Sequence, residues 1–110
     1  AGGVKCRLLH VRHLMYRVVV ACYGVPASAG KIAASEITAE FVEHRTWHSN
    51  VQCNWRDNHL ELVAENDFDS NGSAVLDEFS DAIAAYIAEP FDGEITVKSI
   101  EVLSSERSGR

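Results

Sequence analysis

From Glu36 onward, apolar positions along the chain first alternate and then recur at helical spacing. Ile37, Ala39 and Phe41 alternate with Thr38, Glu40 and Val42, the period of a half-buried strand. Val51, Cys53 and Trp55 repeat the pattern against Gln52, Asn54 and Arg56, as do Leu60, Leu62 and Ala64 against Glu61, Val63 and Glu65. Asp57-Asn58 between the last two runs predicts a hairpin. His48-Ser49-Asn50 supplies turn residues between the first two. The period then switches: Val75, Leu76, Phe79, Ile83, Tyr86 and Ile87 fall on one helical face and Pro90 ends it. A last strand after Asp92-Gly93 carries Ile95, Val97, Ile100 and Val102. The expected fold is α+β: an antiparallel three-stranded meander, one amphipathic helix and a fourth strand, in the order βββαβ. One helix lying on the sheet would bury both apolar faces.

Charge divides the chain differently. Residues 1–35 hold five Lys and Arg and no acid, whereas residues 36–110 hold all 16 acids and a net charge of −11. That asymmetry predicts a basic leader over 1–35, an acidic α+β domain over 36–104 and a frayed tail over 105–110. Two readings of the leader assign it a job. Val4, Leu8, Val11, Met15 and Val18 line one face of a helix with Lys5, Arg7, Arg12 and Arg17 opposite, a basic amphipathic helix suited to an acidic surface. From Met15, a basic stretch, the run Val18–Cys22 and Pro26-Ala27-Ser28-Ala29 also follow the order of a targeting segment. The third reading is a disordered flank. The expected location is cytoplasmic, or exported or organellar if residues 1–29 are a targeting signal. The longest uncharged run near the start, Val18 to Gly30, contains Pro26 and is too short to span a bilayer as a helix.

Candidate chemistry is sparse. Cys6, Cys22 and Cys53 are an odd, widely spaced set, not a disulfide framework, and Cys53 reads as a small buried apolar residue. Cys6, His10 and His13 share a face if the leader is helical, without a visible fourth ligand. His44 and His48 reach one ion only on a helix. On a strand they would stand about 13 Å apart. Asp77, Glu78 and Asp81 fall on the expected solvent face of the helix, and no nucleophile–base pair or phosphate-binding glycine loop accompanies them.

The sharpest motif is Asp67-Phe68-Asp69-Ser70-Asn71-Gly72 followed by Glu78. Its spacing resembles an EF-hand calcium loop. By that resemblance Asp67, Asp69 and Asn71 would donate side-chain oxygens and Ser73 its carbonyl. Gly72 would make the sharp turn, and Glu78 would close a Ca2+ site. The competing reading is a strand-to-helix turn, which needs the same Asp, Ser, Asn and Gly, because the entering stretch His59–Glu65 alternates like a strand. The net charge of the acidic domain disfavours phosphate backbones and hence nucleic acid. It favours a non-enzymatic domain that binds another protein, one of basic character.

Overall fold

A computed structural model of the chain describes residues 14–104. The elements are β1 (Leu14–Tyr23), α1 (Ala27–His44), β2 (Ser49–Arg56), β3 (His59–Asn66), α2 (Ser73–Tyr86) and β4 (Glu94–Ser104). The strands form one antiparallel sheet in the order β2-β3-β1-β4, with α1 and α2 packed on one face. The class is α+β, as expected, but the order is βαββαβ, the split-βαβ order of ferredoxin-like domains.

Two elements differ from the sequence reading. Residues 37–42, expected as the first strand of a meander, belong to α1. Ile37 and Phe41 lie four apart, a spacing that puts them on one face of a strand or of a helix alike. Ala39 is the position that discriminates: the strand reading buries it, and in the structure it is exposed. The buried residues of α1 are Gly30, Ala33, Ala34, Ile37 and Phe41, a helical stripe whose first half lies before Ser35, in an alanine-rich stretch favourable to helix.

The second difference is the strand contributed by the expected leader. Leu14–Tyr23 is the central strand β1, paired with β3 on one side and β4 on the other. Its run Val18-Val19-Val20-Ala21-Cys22 does not alternate because the outward positions Val19 and Ala21 are apolar like the inward Val18, Val20 and Cys22, and its β-branched residues suit a strand. Met15 and Val18 therefore sit on β1 and not on an amphipathic helix. The expected boundary after Ser35 falls inside α1. The remainder of that helix reading, the Cys6/His10/His13 group and the 105–110 tail lie outside the described residues.

The rest follows the expected pattern. The β2–β3 hairpin turns at Asp57 and Asn58, both with positive φ (50° and 63°), as a two-residue turn matching strand twist requires. Inward-facing Val18, Val20, Cys22, Leu60, Leu62, Ala64 and Cys53 meet Ile37 and Phe41 of α1 and Val75, Phe79, Ala82 and Ile83 of α2 in one core. Burial of each Phe contributes about 1.5–3 kcal/mol.

The edge strand β2 is partly closed by α1. Cys53 N–H donates to Thr38 Oγ1 at 3.0 Å, and the hydroxyl faces Cys53 O at 3.5 Å. Burial pushes the Cys53 thiol up to about 12, so it packs as an inert apolar group. No helix among the described residues is long and apolar enough to cross a membrane.

Candidate functional site

Where β3 ends, its inward period Leu60, Leu62, Ala64 continues to Asn66, an amide only 2% exposed. A buried amide needs partners on all sides, and Asn66 has them. Its Oδ1 accepts the backbone N–H groups of Phe68 (3.1 Å) and Asp69 (2.8 Å), folding the chain into a turn. With Oδ1 so occupied, the amide NH2 faces His48 Nδ1 at 3.2 Å. His48 Nδ1 is thereby the acceptor and Nε2–H the donor, and Nε2 lies 2.5 Å from Glu78 Oε1.

The turn then starts a helix. Asp69, 4% exposed, accepts Ala74 N–H at 3.1 Å on one carboxylate oxygen and Val75 N–H at 2.9 Å on the other. It thus satisfies two of the donors that the first turn of α2 leaves open. Gly72 takes φ +81°, and a Cβ there would come within 3.0 Å of Val97 Cγ1, so left-handed geometry and close packing both select glycine. Asn71 Oδ1 accepts Ser73 N–H at 3.0 Å. In the second turn of α2, Glu78 returns to His48. The hydrogen bonds therefore form a closed circuit: Asn66 to the Asp69 turn, Asp69 to α2, Glu78 to His48, and His48 back to Asn66.

This circuit takes in Asp69 and Glu78 of the calcium-like motif, and the structure gives the motif's residues other partners. Asp69 caps α2 with both oxygens, and Asn71 holds a local turn. Glu78 accepts from His48 on one oxygen and from Trp47 Nε1 at 3.2 Å on the other, with Arg45 Nη1 3.8 Å away. Asp67 and Ser73 are exposed. The chain enters the loop from strand β3 and not from a helix. No three His, Cys, Asp or Glu side chains among the described residues are grouped so as to hold a metal ion.

Of the expected acidic triplet on the solvent face, Asp77 and Asp81 are exposed, but Glu78 is turned into the circuit. His44 and His48 separate: His44 is exposed at the end of α1, and the His48 side chain is fully buried. Sequence reasoning missed Asn66, Trp47 and the role of His48. The available signal was that Asn66 continues the inward period of β3.

The circuit also displays apolar groups. Trp47 and Phe68 are each 50% exposed and stand with their rings 5.8 and 6.0 Å from that of His48. The row Asn66–Tyr16–Val102 crosses the sheet at this end, and Val102 is exposed. Leu14 lies two rows further out, on the same face as Tyr16, and Val42 is in the last turn of α1. Five of the seven large hydrophobics that stand exposed among the described residues therefore sit at one end of the molecule.

The open sheet face has another character. Arg17 bridges Glu65 (2.9 Å) and Glu101 (3.0 Å). Lys98 meets Glu61 at 2.5 Å, and Arg56 lies 3.9 Å from the same carboxylate. Burial alone would raise the Glu65 carboxyl, but hydrogen bonds from Asn50 and Arg17, with the charge of Arg17, hold it below the ordinary range.

The helix layer is less balanced. Glu36, Asp77 and Asp81 have no cation within 4 Å among the described residues. The fields of Glu40, Glu36 and Glu43 converge on Tyr86, whose hydroxyl donates to Glu40 at 3.1 Å and titrates above its ordinary value.

A groove of about 490 Å³ runs open to solvent between α1 and β2. Lys31, Ser35, Thr38, Gln52, Asn54 and Trp55 line it, so it offers an ammonium, hydroxyls and amides but no carboxylate or imidazole for acid–base work. No protein-family profile, no curated protein and no solved structure matches this chain.

Proposed function

We propose that this chain is a non-enzymatic binding domain whose acidic helix layer engages a basic protein partner. The observation that carries the reading is the contrast in charge pairing. Cations of the open sheet face are matched across strands, whereas the acids Glu36, Asp77 and Asp81 of the helix layer face solvent without a cation among the described residues. Unmatched charge of one sign steers and selects an oppositely charged surface. Matched pairs on the sheet face contribute little to such a field.

The test is affinity capture with the full chain at low and at high salt, beside a Glu36→Lys, Asp77→Lys, Asp81→Lys variant. A basic protein retained at low salt, released at high salt and lost by the variant is the expected outcome. Absence of any salt-sensitive partner, or equal retention by the variant, would overturn the reading.

A further inference from the structure

We propose that the end of the molecule bearing Trp47 and Phe68 is the anchor site for the partner, and that it takes an apolar peptide segment flanked by arginine or lysine. This rests on the reading of the chain as a binder of a basic protein and assigns that binding a place. Three observations converge there. The first is composition: exposed apolar side chains gather at this end, two of them aromatic, and contiguous exposed apolar surface marks interaction sites.

The second is rigidity. Trp47 is tied through its indole N–H to Glu78, and the chain at Phe68 is tied through its backbone N–H to Asn66. Glu78 and Asn66 are joined through buried His48. With Trp47 held at its indole and Phe68 at its backbone, less freedom is lost on binding than at untethered aromatics, which favours an energetic anchor.

The third is charge. Among the described residues, the segments at this end, 14–16, 40–48, 66–78 and 102–104, contain Glu40, Glu43, Asp67, Asp69, Asp77 and Glu78 against Arg45 as the sole Lys or Arg. Arg45 is itself placed between Glu40 and Glu78. An apolar segment alone would leave this field unmatched. One flanked by guanidinium or ammonium groups matches it, and those cations can also stack on the Trp47 and Phe68 rings. A second copy of the chain fits poorly, because it would bring the same acids face to face.

The two tryptophans make the site directly observable. Trp47 Nε1 donates to Glu78, whereas Trp55 Nε1 donates to the Val25 carbonyl at 2.7 Å in the α1–β2 interface, so their indole N–H resonances report separate places. The 15N-labelled full chain is titrated with a twelve-residue peptide of leucine and arginine. Parallel titrations use a peptide with glutamate for arginine and one with alanine for leucine.

The expected result is saturable movement of the Trp47 indole and Phe68 amide signals with the leucine–arginine peptide and a still Trp55. Affinity should fall about tenfold with the alanine peptide or with Phe68→Ala, and no binding should be seen with the glutamate peptide. Phe68→Ala removes none of the hydrogen bonds of Glu78 and His48, and an unshifted Trp55 indole shows that it folds.

Binding that moves Glu36 and Asp81 amides but not Trp47 would overturn this placement while leaving the acidic-surface reading intact. Failure of both arginine peptides would overturn both. Equal binding of the glutamate peptide, or a response of Trp47 to phosphatidylcholine vesicles and not to peptide, would overturn the basic-peptide assignment in favour of an acidic segment or a lipid surface.

Discussion

Trp55 and Trp47 are both tied through the indole N–H to an oxygen, yet the regions around them do opposite work. Trp55 lies between α1 and β2, donating to the Val25 carbonyl and pressed so closely on Gly30 that a Cβ there would meet its ring at 2.1 Å. The Lys31 ammonium lies 5.6 Å from the ring centroid. Trp47 stands on the α1–β2 loop, half exposed, tied to a carboxylate that is itself held from within. In the first region the hydrogen bond completes a packed interface. In the second it fixes a side chain in a place where packing leaves one face free. The difference teaches that a satisfied polar atom does not make an aromatic residue structural; the fate of its ring surface decides that.

The largest effect that would sharpen the comparison is expected at Trp55. Trp55→Ala removes packing against α1 and strands the Val25 carbonyl, so it should cost about 3–5 kcal/mol in chemical denaturation. A loss near that of a surface substitution would erase the distinction. Next comes Gly30→Ala, which leaves the ring in place but brings a methyl group against it. Helix propensity favours alanine by about 1 kcal/mol, yet overpacking against a ring that cannot retreat costs about 1–3 kcal/mol. Net destabilisation is expected, and a more stable variant would show that Trp55 has room to move.

The sheet's second half was legible in the sequence because the apolar positions of its elements recur at strand or helix spacing. The hairpin at Asp57-Asn58, the amphipathic α2 and the strand after Gly93 all stand where alternation or helical spacing placed them. The first half was not legible, and for two physical reasons. The outward positions of β1, Val19 and Ala21, are as apolar as its inward ones, so the strand shows no alternation, and Ile37 with Phe41 satisfies both periods. Charge then deepened the error. An acid-free stretch beside an acidic one looks like two independent segments, but Arg17 of β1 lies between Glu65 of β3 and Glu101 of β4. Here complementary charge marks contact and not separation.

The candidate site was half legible for a similar reason. Its motif supplied Asp69, Asn71 and Glu78, but His48 and Trp47, which bind Glu78, lie outside the motif, and the groups that bind Asp69 and Asn71 are backbone N–H groups, which residue identities do not reveal. A further variant separates the framework of this end from what it displays. Asp69→Ala removes the side-chain acceptor from Ala74 and Val75 N–H, and loss of such a cap should cost about 1–2 kcal/mol. It should also loosen the Phe68 amide toward hydrogen exchange. Trp47→Ala, by contrast, should change stability by less than about 1 kcal/mol, the range of partly exposed positions. A cost as large as that of Trp55→Ala would mean that Trp47 belongs to the framework.

The smallest expected effect is the response to calcium. A cation taking up the loop by its EF-hand-like spacing would need oxygens from Asp67, Asp69, Asn71 and Glu78 at 2.3–2.6 Å. Asp69 would have to release two backbone N–H groups at the start of α2, and Glu78 would have to leave both His48 and Trp47. Each release leaves polar groups of the circuit short of a partner, at about 1–3 kcal/mol per buried group. The ion would have to offset all of them before binding at all. Titration of the full chain with calcium to millimolar concentration is therefore expected to give no saturable heat and to leave the Trp47 indole signal in place. Saturable heat that Glu78→Gln abolishes, with movement of the Trp47 signal, would show instead that the cation and His48 compete for one carboxylate. The aromatic end would then be a surface that calcium releases.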